Sequence, residues 1–428
     1  MSLAYTPKIT ITPITHPLAS RVEVPGSKSH TNRALLVAAL AEGDTTLHNA
    51  LFSDDSIYFA KALITLGFDV HLDSEAKTMT IFGHGGHIPN ATADLLIGNA
   101  GTAARFLTAM LSLGHGEYSI EGVKRMRQRP IAELVSALNR LGAHVETQSG
   151  CPPVYVHADG LPGGKASMRG DVSSQFLSGL LMVAPYAQEP VEITVEGPLN
   201  SKPYIDLTLG VMTDFGVRIQ RDGYEHFNVI PQRYQALGVY PIESDASAAS
   251  YFFAAPAICG GWVEVSDLSR DVRQGDIAFL DVLEKMGCVV TKSETALRIT
   301  GPKRLQGVDI DMSDISDTSM TLAAIAPFAE TPTSIRGITS SRLKETDRVA
   351  ATCTELRRLG VQVDEHSDGM TIYPTENFRA TAIHTYDDHR IAMAFSLIGL
   401  RVPGIEIENP GCVAKTFPNF FDVLEQLG

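Results

Sequence analysis

The chain is poor in residues that staple a fold or carry metal. Its 428 residues include one tryptophan and five cysteines. Cys151, Cys259, Cys288, Cys353 and Cys412 are odd in number, widely spaced and without a CxxC pair. That excludes a disulfide framework and a structural zinc site as working ideas and predicts reduced, mostly buried thiols. No apolar run approaches the roughly 18 residues of a membrane span. The opening MSLAYTPKITITP lacks a basic-then-apolar signal pattern, so a cytoplasmic location is expected. Cations are in deficit too: 35 Lys and Arg against 49 Asp and Glu give a net charge of −14, a poor prior for nucleic acid or anionic membrane. HExxH, paired-histidine spacing and GxGxxG are all missing, so neither a metal nor a dinucleotide cofactor is expected.

What is present is ordinary in amount, with 44% hydrophobic and 20% charged residues, and unusual in order. A helical run, then "LG" or a variant, then an alternating apolar strand recurs along the chain. It reads ALITLGFDV, ALNRLGAHV, GVMTDFGVRI, VLEKMGCVV, ELRRLGVQV and a closing DVLEQLG. The marker glycines Gly67, Gly142, Gly216, Gly287, Gly360 and Gly428 are spaced by 75, 74, 71, 73 and 68 residues. Each fits a helix C-terminus, where a left-handed residue ends the helix cheaply. A second helix, rich in small and apolar residues, recurs in phase, as in GTAARFLTAMLSLG and DHRIAMAFSLIGL. Helices apolar all round are buried. The pattern predicts an α/β protein of six repeats in two domains of three. Crossings are expected near Val24–Pro25 and in Gly238–Ser244, giving residues 25–242 one domain and residues 1–24 with 243–428 the other. A cleft between two domains is a usual place for a ligand.

The chemistry gathers at the helix starts. PGSKSHTNRAL carries Lys28, Ser29 and Arg33 after a glycine turn, which suits an anion but also reads as a plain N-cap. It is not a Walker loop, since GxxxxGK(S/T) is absent. GNAGTAARFL offers Asn99, Gly101, Thr102 and Arg105. KRMRQRPIAEL reads mostly as a solvated charge run, with Arg129 singled out against Pro130. Ser173, Ser174 and Gln175, then Ser201 and Tyr204, supply neutral donors for phosphate or sugar-like hydroxyls, or caps. SRLKETDRVAA packs Lys344, Glu345 and Arg348 into five positions. Lys344 and Arg348 four apart would repel on a helix, which argues against a mere ion-pair lattice. His389 and Arg390 precede a buried helix, Lys415 the last one, and Asp317 lies in DISDTSMT. The sum predicts a basic site for small, multiply charged anions, held by Arg forks and Lys point charges.

These segments resemble the 3-phosphoshikimate 1-carboxyvinyltransferase (EPSP synthase) family over essentially the whole chain. PGSKSxxNRAL, GNAGTAxR, RxRPI, SSQFL, SKPYID, SDASAAS, KETDR, DHRxAM and AKTFP appear in family order. The resemblance implies two similar α/β domains, each of three βαβαββ-type repeats with buried helices, an inside-out α/β barrel with the active site in the interdomain cleft. It implies enolpyruvyl transfer from phosphoenolpyruvate to the 5-hydroxyl of shikimate 3-phosphate, through a tetrahedral intermediate and without a cofactor. By position, Lys28, Ser29, Arg33, Ser173, Ser174, Gln175, Ser201, Tyr204, Asp317, Ser340 and Lys344 would hold shikimate 3-phosphate. Lys28, Gly101, Arg129, Gln175, Arg348, Arg390 and Lys415 would hold phosphoenolpyruvate, with Asn99, Thr102, Arg105 and His389 in support. Asp317, Glu345 and Lys28 are the candidates for proton transfer. Small-molecule substrates, no nucleic acid, no membrane and a monomer are expected.

Two departures from the family pattern stand out. Ser340 takes the place of a usual Asn, and Phe106-Leu107 that of Pro-Leu. Gly101 leaves room for the inhibitor glyphosate, so sensitivity is expected; an inhibition constant far above the KM for phosphoenolpyruvate would refute it. The nearest rival is the enolpyruvyl transferase acting on UDP-N-acetylglucosamine, which commonly carries a reactive cysteine before its RP motif; none occurs here before Cys151. A non-catalytic anion-binding module is the rival from another class, and retained Lys28, Asp317, Glu345 and Arg390 argue against it.

Overall fold

A computed structural model of the chain describes residues 5–293 and 295–428. Among the described residues, twelve α-helices follow one another in pairs. They are α1 (Lys28–Leu40), α2 (Asp54–Thr65), α3 (Gly101–Leu111), α4 (Ala132–Arg140), α5 (Ser174–Val183), α6 (Pro203–Asp214), α7 (Ala246–Cys259), α8 (Phe279–Lys285), α9 (Ser319–Ile325), α10 (Arg348–Arg358), α11 (His389–Gly399) and α12 (Phe420–Glu425). The odd-numbered helices are the small-residue segments and are buried nearly all round. In α3, for example, every residue from Gly101 to Leu111 is buried. The even-numbered helices keep one wet face; in α4 only Leu134, Val135, Ala137 and Leu138 are buried. Each fully buried Leu, Ile or Phe contributes roughly 1.5–3 kcal/mol of transfer free energy, so the odd helices carry most of the core.

The marker glycines end the even helices. Gly67, Gly142, Gly216, Gly287 and Gly360 have φ of 92°, 90°, 89°, 100° and 85°. A left-handed glycine there ends the helix without a Cβ clash and turns the chain into the next strand.

The described strands form six separate sheets, five of four strands and one of three. A representative sheet orders Thr92–Leu96, His115–Glu121, Val154–Asp159 and Val145–Thr147, with the first pair parallel and the others antiparallel. The barrel-like feature is thus buried helices backing separate sheets; no described strands close into a β-barrel.

The chain divides into two compact units. The continuous unit is Gly26–Glu243 and the split unit is Met1–Pro25 with Ser244–Gly428. Each has its own apolar core, with α1, α3 and α5 in the first and α7, α9 and α11 in the second. The first sheet of each unit is completed by a remote strand. Gly238–Pro241 pairs with Thr45–His48 in the continuous unit, and Leu18–Val22 with Gly261–Val265 in the split unit.

Candidate active site

In the continuous unit the expected residues stand at helix starts. Ser27 caps α1 by accepting from the His30 amide at 3.3 Å. Lys28 is therefore the first helical residue, and its Nζ lies 3.7 Å from Asp55 Oδ2 at the second position of α2. Ser29 is half-buried, and its carbonyl accepts from Arg33 Nη1 at 3.0 Å. Arg33 turns inward and is 2% exposed. Its Nε donates to Thr208 Oγ1 at 2.7 Å, and Nη2 to Ser178 Oγ at 3.2 Å and the Tyr204 carbonyl at 3.1 Å. Burial pushes its pKa down to about 10.

Gly101 opens α3, and Arg129 occupies the space beside it. Arg129 Nη1 donates to the Asn99 carbonyl at 2.9 Å and to Asn99 Oδ1 at 3.2 Å. A Cβ on Gly101 would lie 2.2 Å from Arg129 Nη2. Arg105 braces the same corner, donating to the carbonyls of Gly101 at 3.1 Å and Pro130 at 2.6 Å. Thr102 is buried beside it. Ser173 caps α5 by accepting from the Gln175 amide at 3.3 Å; Ser174 is buried and Gln175 partly exposed. Ser201 holds a left-handed φ of 56°, which a non-glycine residue adopts only when its surroundings enforce it, and Tyr204 stands in the first turn of α6.

In the split unit the candidates form one chain of alternating charge. Arg348, the first residue of α10, is 2% exposed. It donates from Nε to Asp388 Oδ2 at 2.8 Å, from Nη1 to Asp317 Oδ1 at 3.1 Å and from Nη2 to Glu345 Oε2 at 2.7 Å. Burial opposes its charge, but Asp388, Glu345 and Asp317 outweigh burial and hold its pKa above the ordinary value. Arg390 Nη2 takes the other oxygen of Asp317 at 2.6 Å, and Lys415 Nζ lies 3.7 Å from Glu345 Oε1. The order Lys415, Glu345, Arg348, Asp317, Arg390 leaves the carboxylates unequally open. The Asp317 side chain is 16% exposed, Glu345 6% and Asp388 0%. Ser340 is buried in the 3-10 turn Thr339–Leu343, and Lys344 follows it half-buried. His389 is fully buried, its Nδ1 3.6 Å from Asp388 Oδ1.

Three carboxylates escaped the sequence reading. Asp388 both caps α11, accepting from the Arg390 amide at 2.9 Å, and clamps Arg348. Its cap position before a buried helix was the available signal. Asp55 meets Lys28 across a 27-residue separation with no spacing signal. Asp276 accepts from Ser247 Oγ at the start of α7, and burial, then the charge of Asp317, pushes its pKa up to about 6. Among the described residues no group of three or more His, Cys, Asp or Glu side chains could hold a metal ion, and no helix is long and apolar enough to cross a membrane. Each unit thus presents cations at or near helix starts, where open amide groups also favour an anion.

Comparison with known proteins gives one result. The family profile described as EPSP synthase (3-phosphoshikimate 1-carboxyvinyltransferase) matches residues 13–424. The chain is 51% identical to a 3-phosphoshikimate 1-carboxyvinyltransferase of Trichormus variabilis over 416 residues, 96% of this chain and 97% of that protein. It is 46% identical to the chloroplastic counterpart of Arabidopsis thaliana over 98% of this chain and 84% of that protein. A solved structure of EPSP synthase from Acinetobacter baumannii matches with a TM-score of 0.82 at 26% identity, over 99% of this chain and 98% of that one.

Proposed function

This chain belongs to the EPSP synthase family, and from that premise we infer that it moves the enolpyruvyl group of phosphoenolpyruvate onto the 5-hydroxyl of shikimate 3-phosphate and releases phosphate. It is a transferase of the shikimate pathway, acting on two small anions. The continuous unit and the split unit are proposed as its two domains.

The alternating ion chain of the split unit carries the assignment of roles. Protonation of the methylene carbon of phosphoenolpyruvate leaves its C2 cationic. The 5-hydroxyl adds there as it loses its proton, forming a tetrahedral intermediate. Loss of a proton from the same methyl carbon then expels phosphate and restores the double bond. Asp317, held by Arg348 and Arg390 and more exposed than Glu345 or Asp388, is proposed as the base for the hydroxyl. Glu345, between Arg348 and Lys415, and Lys28 are proposed for proton traffic at the methylene. Asp388, closed to solvent, keeps Arg348 in place instead.

Phosphoenolpyruvate is assigned to Arg348, Arg390 and Lys415 of the split unit, with Lys28, Gly101, Arg129 and Gln175. Shikimate 3-phosphate is assigned to Lys28, Ser29, Arg33, Ser173, Ser174, Gln175, Ser201 and Tyr204, with Asp317, Ser340 and Lys344. The cations offset phosphate and carboxylate charge through groups fixed before the substrates arrive. Asn99 and Arg105 act by setting Arg129 and the start of α3. A monomer is also proposed, resting on a net charge of −14, and a cytoplasmic location, resting on the free cysteines; sedimentation showing a stable dimer would overturn the first.

The test is phosphate release from phosphoenolpyruvate with shikimate 3-phosphate or UDP-N-acetylglucosamine as acceptor. Release is expected only with the first. Asp317→Asn is expected to lower kcat by roughly 10²–10⁴, the usual worth of a positioned base. Release that needs the UDP-sugar would refute the substrate, and unchanged turnover in the variant would refute the base.

A further inference from the structure

Arg33 is a buried cation without a carboxylate partner among the described residues. Its four hydrogen bonds go to neutral oxygens of Thr208, Ser29, Ser178 and Tyr204. A guanidinium has five N–H donors. The unused one is on Nη1, the nitrogen that reaches the Ser29 carbonyl at the start of α1. Stripping a guanidinium of water is unfavourable unless something offsets the lost hydration.

Two aromatic rings stand where a counter-ion would be expected. The Arg33 guanidinium carbon lies 5.3 Å from the centre of the Phe106 ring and 5.7 Å from that of Tyr204. Within about 6 Å a ring face attracts a cation through its quadrupole. Phe106 is wholly buried on α3 and so cannot turn away. A carboxylate in its place would steady the cation too, but it would take up the fifth N–H and neutralise the charge. A ring steadies the cation and leaves both the charge and the last donor available to a ligand.

We propose that Phe106 is a positioning residue for shikimate 3-phosphate, its ring holding the Arg33 guanidinium so that the free Nη1 donor meets an anionic group of that substrate. This rests on the reading that Arg33 binds shikimate 3-phosphate. The ring acts on one substrate only, so it separates the two Michaelis constants.

The experiment uses calorimetric titration of the whole protein with shikimate 3-phosphate, plus steady-state kinetics. Phe106 is replaced by 3,4,5-trifluorophenylalanine, which keeps the volume and removes the negative ring face; Phe106→Leu and Arg33→Gln run in parallel. Both changes at 106 are expected to weaken shikimate 3-phosphate binding roughly three- to tenfold, with the KM for phosphoenolpyruvate moving less than twofold. Unchanged binding in the fluorinated protein alongside weakened binding in Arg33→Gln overturns the proposal and spares the Arg33 reading. Unchanged binding in Arg33→Gln overturns both. Equal rises in the two Michaelis constants of the fluorinated protein would mean that α3 itself has moved, and would also overturn it.

Discussion

A single methyl group at residue 101 should weaken substrate binding at a modest cost in stability. Gly101 is the first residue of α3, and no positive φ marks it, so alanine fits its backbone conformation. Alanine is also the better helix former, by up to about 1 kcal/mol. The obstacle is Arg129. A Cβ at 101 would sit 2.2 Å from its Nη2, 2.7 Å from Cζ and 2.8 Å from Nη1. Carbon and nitrogen in contact need more than 3 Å, so the guanidinium must shift by about 1 Å or more. It is 3% exposed and tied to both oxygens of Asn99 through one nitrogen. A shift of that size breaks at least one hydrogen bond made by a charged donor, worth about 1.5–3 kcal/mol. If Arg129 holds phosphoenolpyruvate, Gly101→Ala should raise the KM for phosphoenolpyruvate roughly 10- to 100-fold. The helix gain offsets only part of the lost hydrogen bond, so the melting temperature should fall by a few degrees. Steady-state kinetics and a thermal melt on the same preparation decide it. In an Arg129→Gln background the alanine should have little further effect, because the two changes act through one group. A normal KM for phosphoenolpyruvate in Gly101→Ala, or full additivity in the double variant, would refute the reasoning.

Two further outcomes follow from buried ionisable groups. The Asp276 carboxyl has its pKa raised from 3.8 to about 6, so the fold holds this proton more tightly than the unfolded chain does. Its contribution therefore turns unfavourable as pH rises from about 4 through 6, by up to about 3 kcal/mol for two pKa units. Asp276→Asn should raise the urea midpoint at pH 7 and lose that advantage near pH 4, and an equal gain at both would exclude the mechanism. Burial pushes the thiols of Cys259, Cys288, Cys353 and Cys412 up to about 12. All four should resist iodoacetamide at pH 8 in the native protein and react in urea; mass spectrometry showing any of them modified without denaturant would contradict this.

Legibility in the sequence followed the range of the physics. Gly67, Gly142 and the three that follow could be read because a left-handed helix end is local backbone chemistry. The buried helices could be read because a helix without a polar face has no alternative to burial, as α3 and α11 show. Arg129 could be singled out from its run by the proline after it. In the structure Arg127 pairs at the surface with Glu121, while Arg129 turns inward. Partners were another matter. Arg33 meets Thr208 across 175 positions, and Arg348 meets Asp388 across 40. Such distances are set by how buried helices stack, which no short motif encodes. The inward turn of Arg33 was invisible for the same reason: its place with Lys28 after a glycine turn suggested two cations reaching for one anion.

The pairing of remote strands has a consequence for the order in which the molecule can be assembled on the ribosome. The continuous unit completes its first sheet when Gly238–Pro241 arrives, so it can close before residues 244–428 are made. The split unit must wait. Leu18–Val22 is made early but meets its partner at Gly261–Val265, and Lys8–Thr10 pairs with Glu406–Glu408 near the end. At 5–20 residues per second, the first strand stands by for roughly 20–80 s. The segment that carries Lys8–Thr10 and Leu18–Val22 is thus made long before it is secured. A slowdown in translation after residue 241 prolongs the life of a nascent chain with one closed unit and one open one.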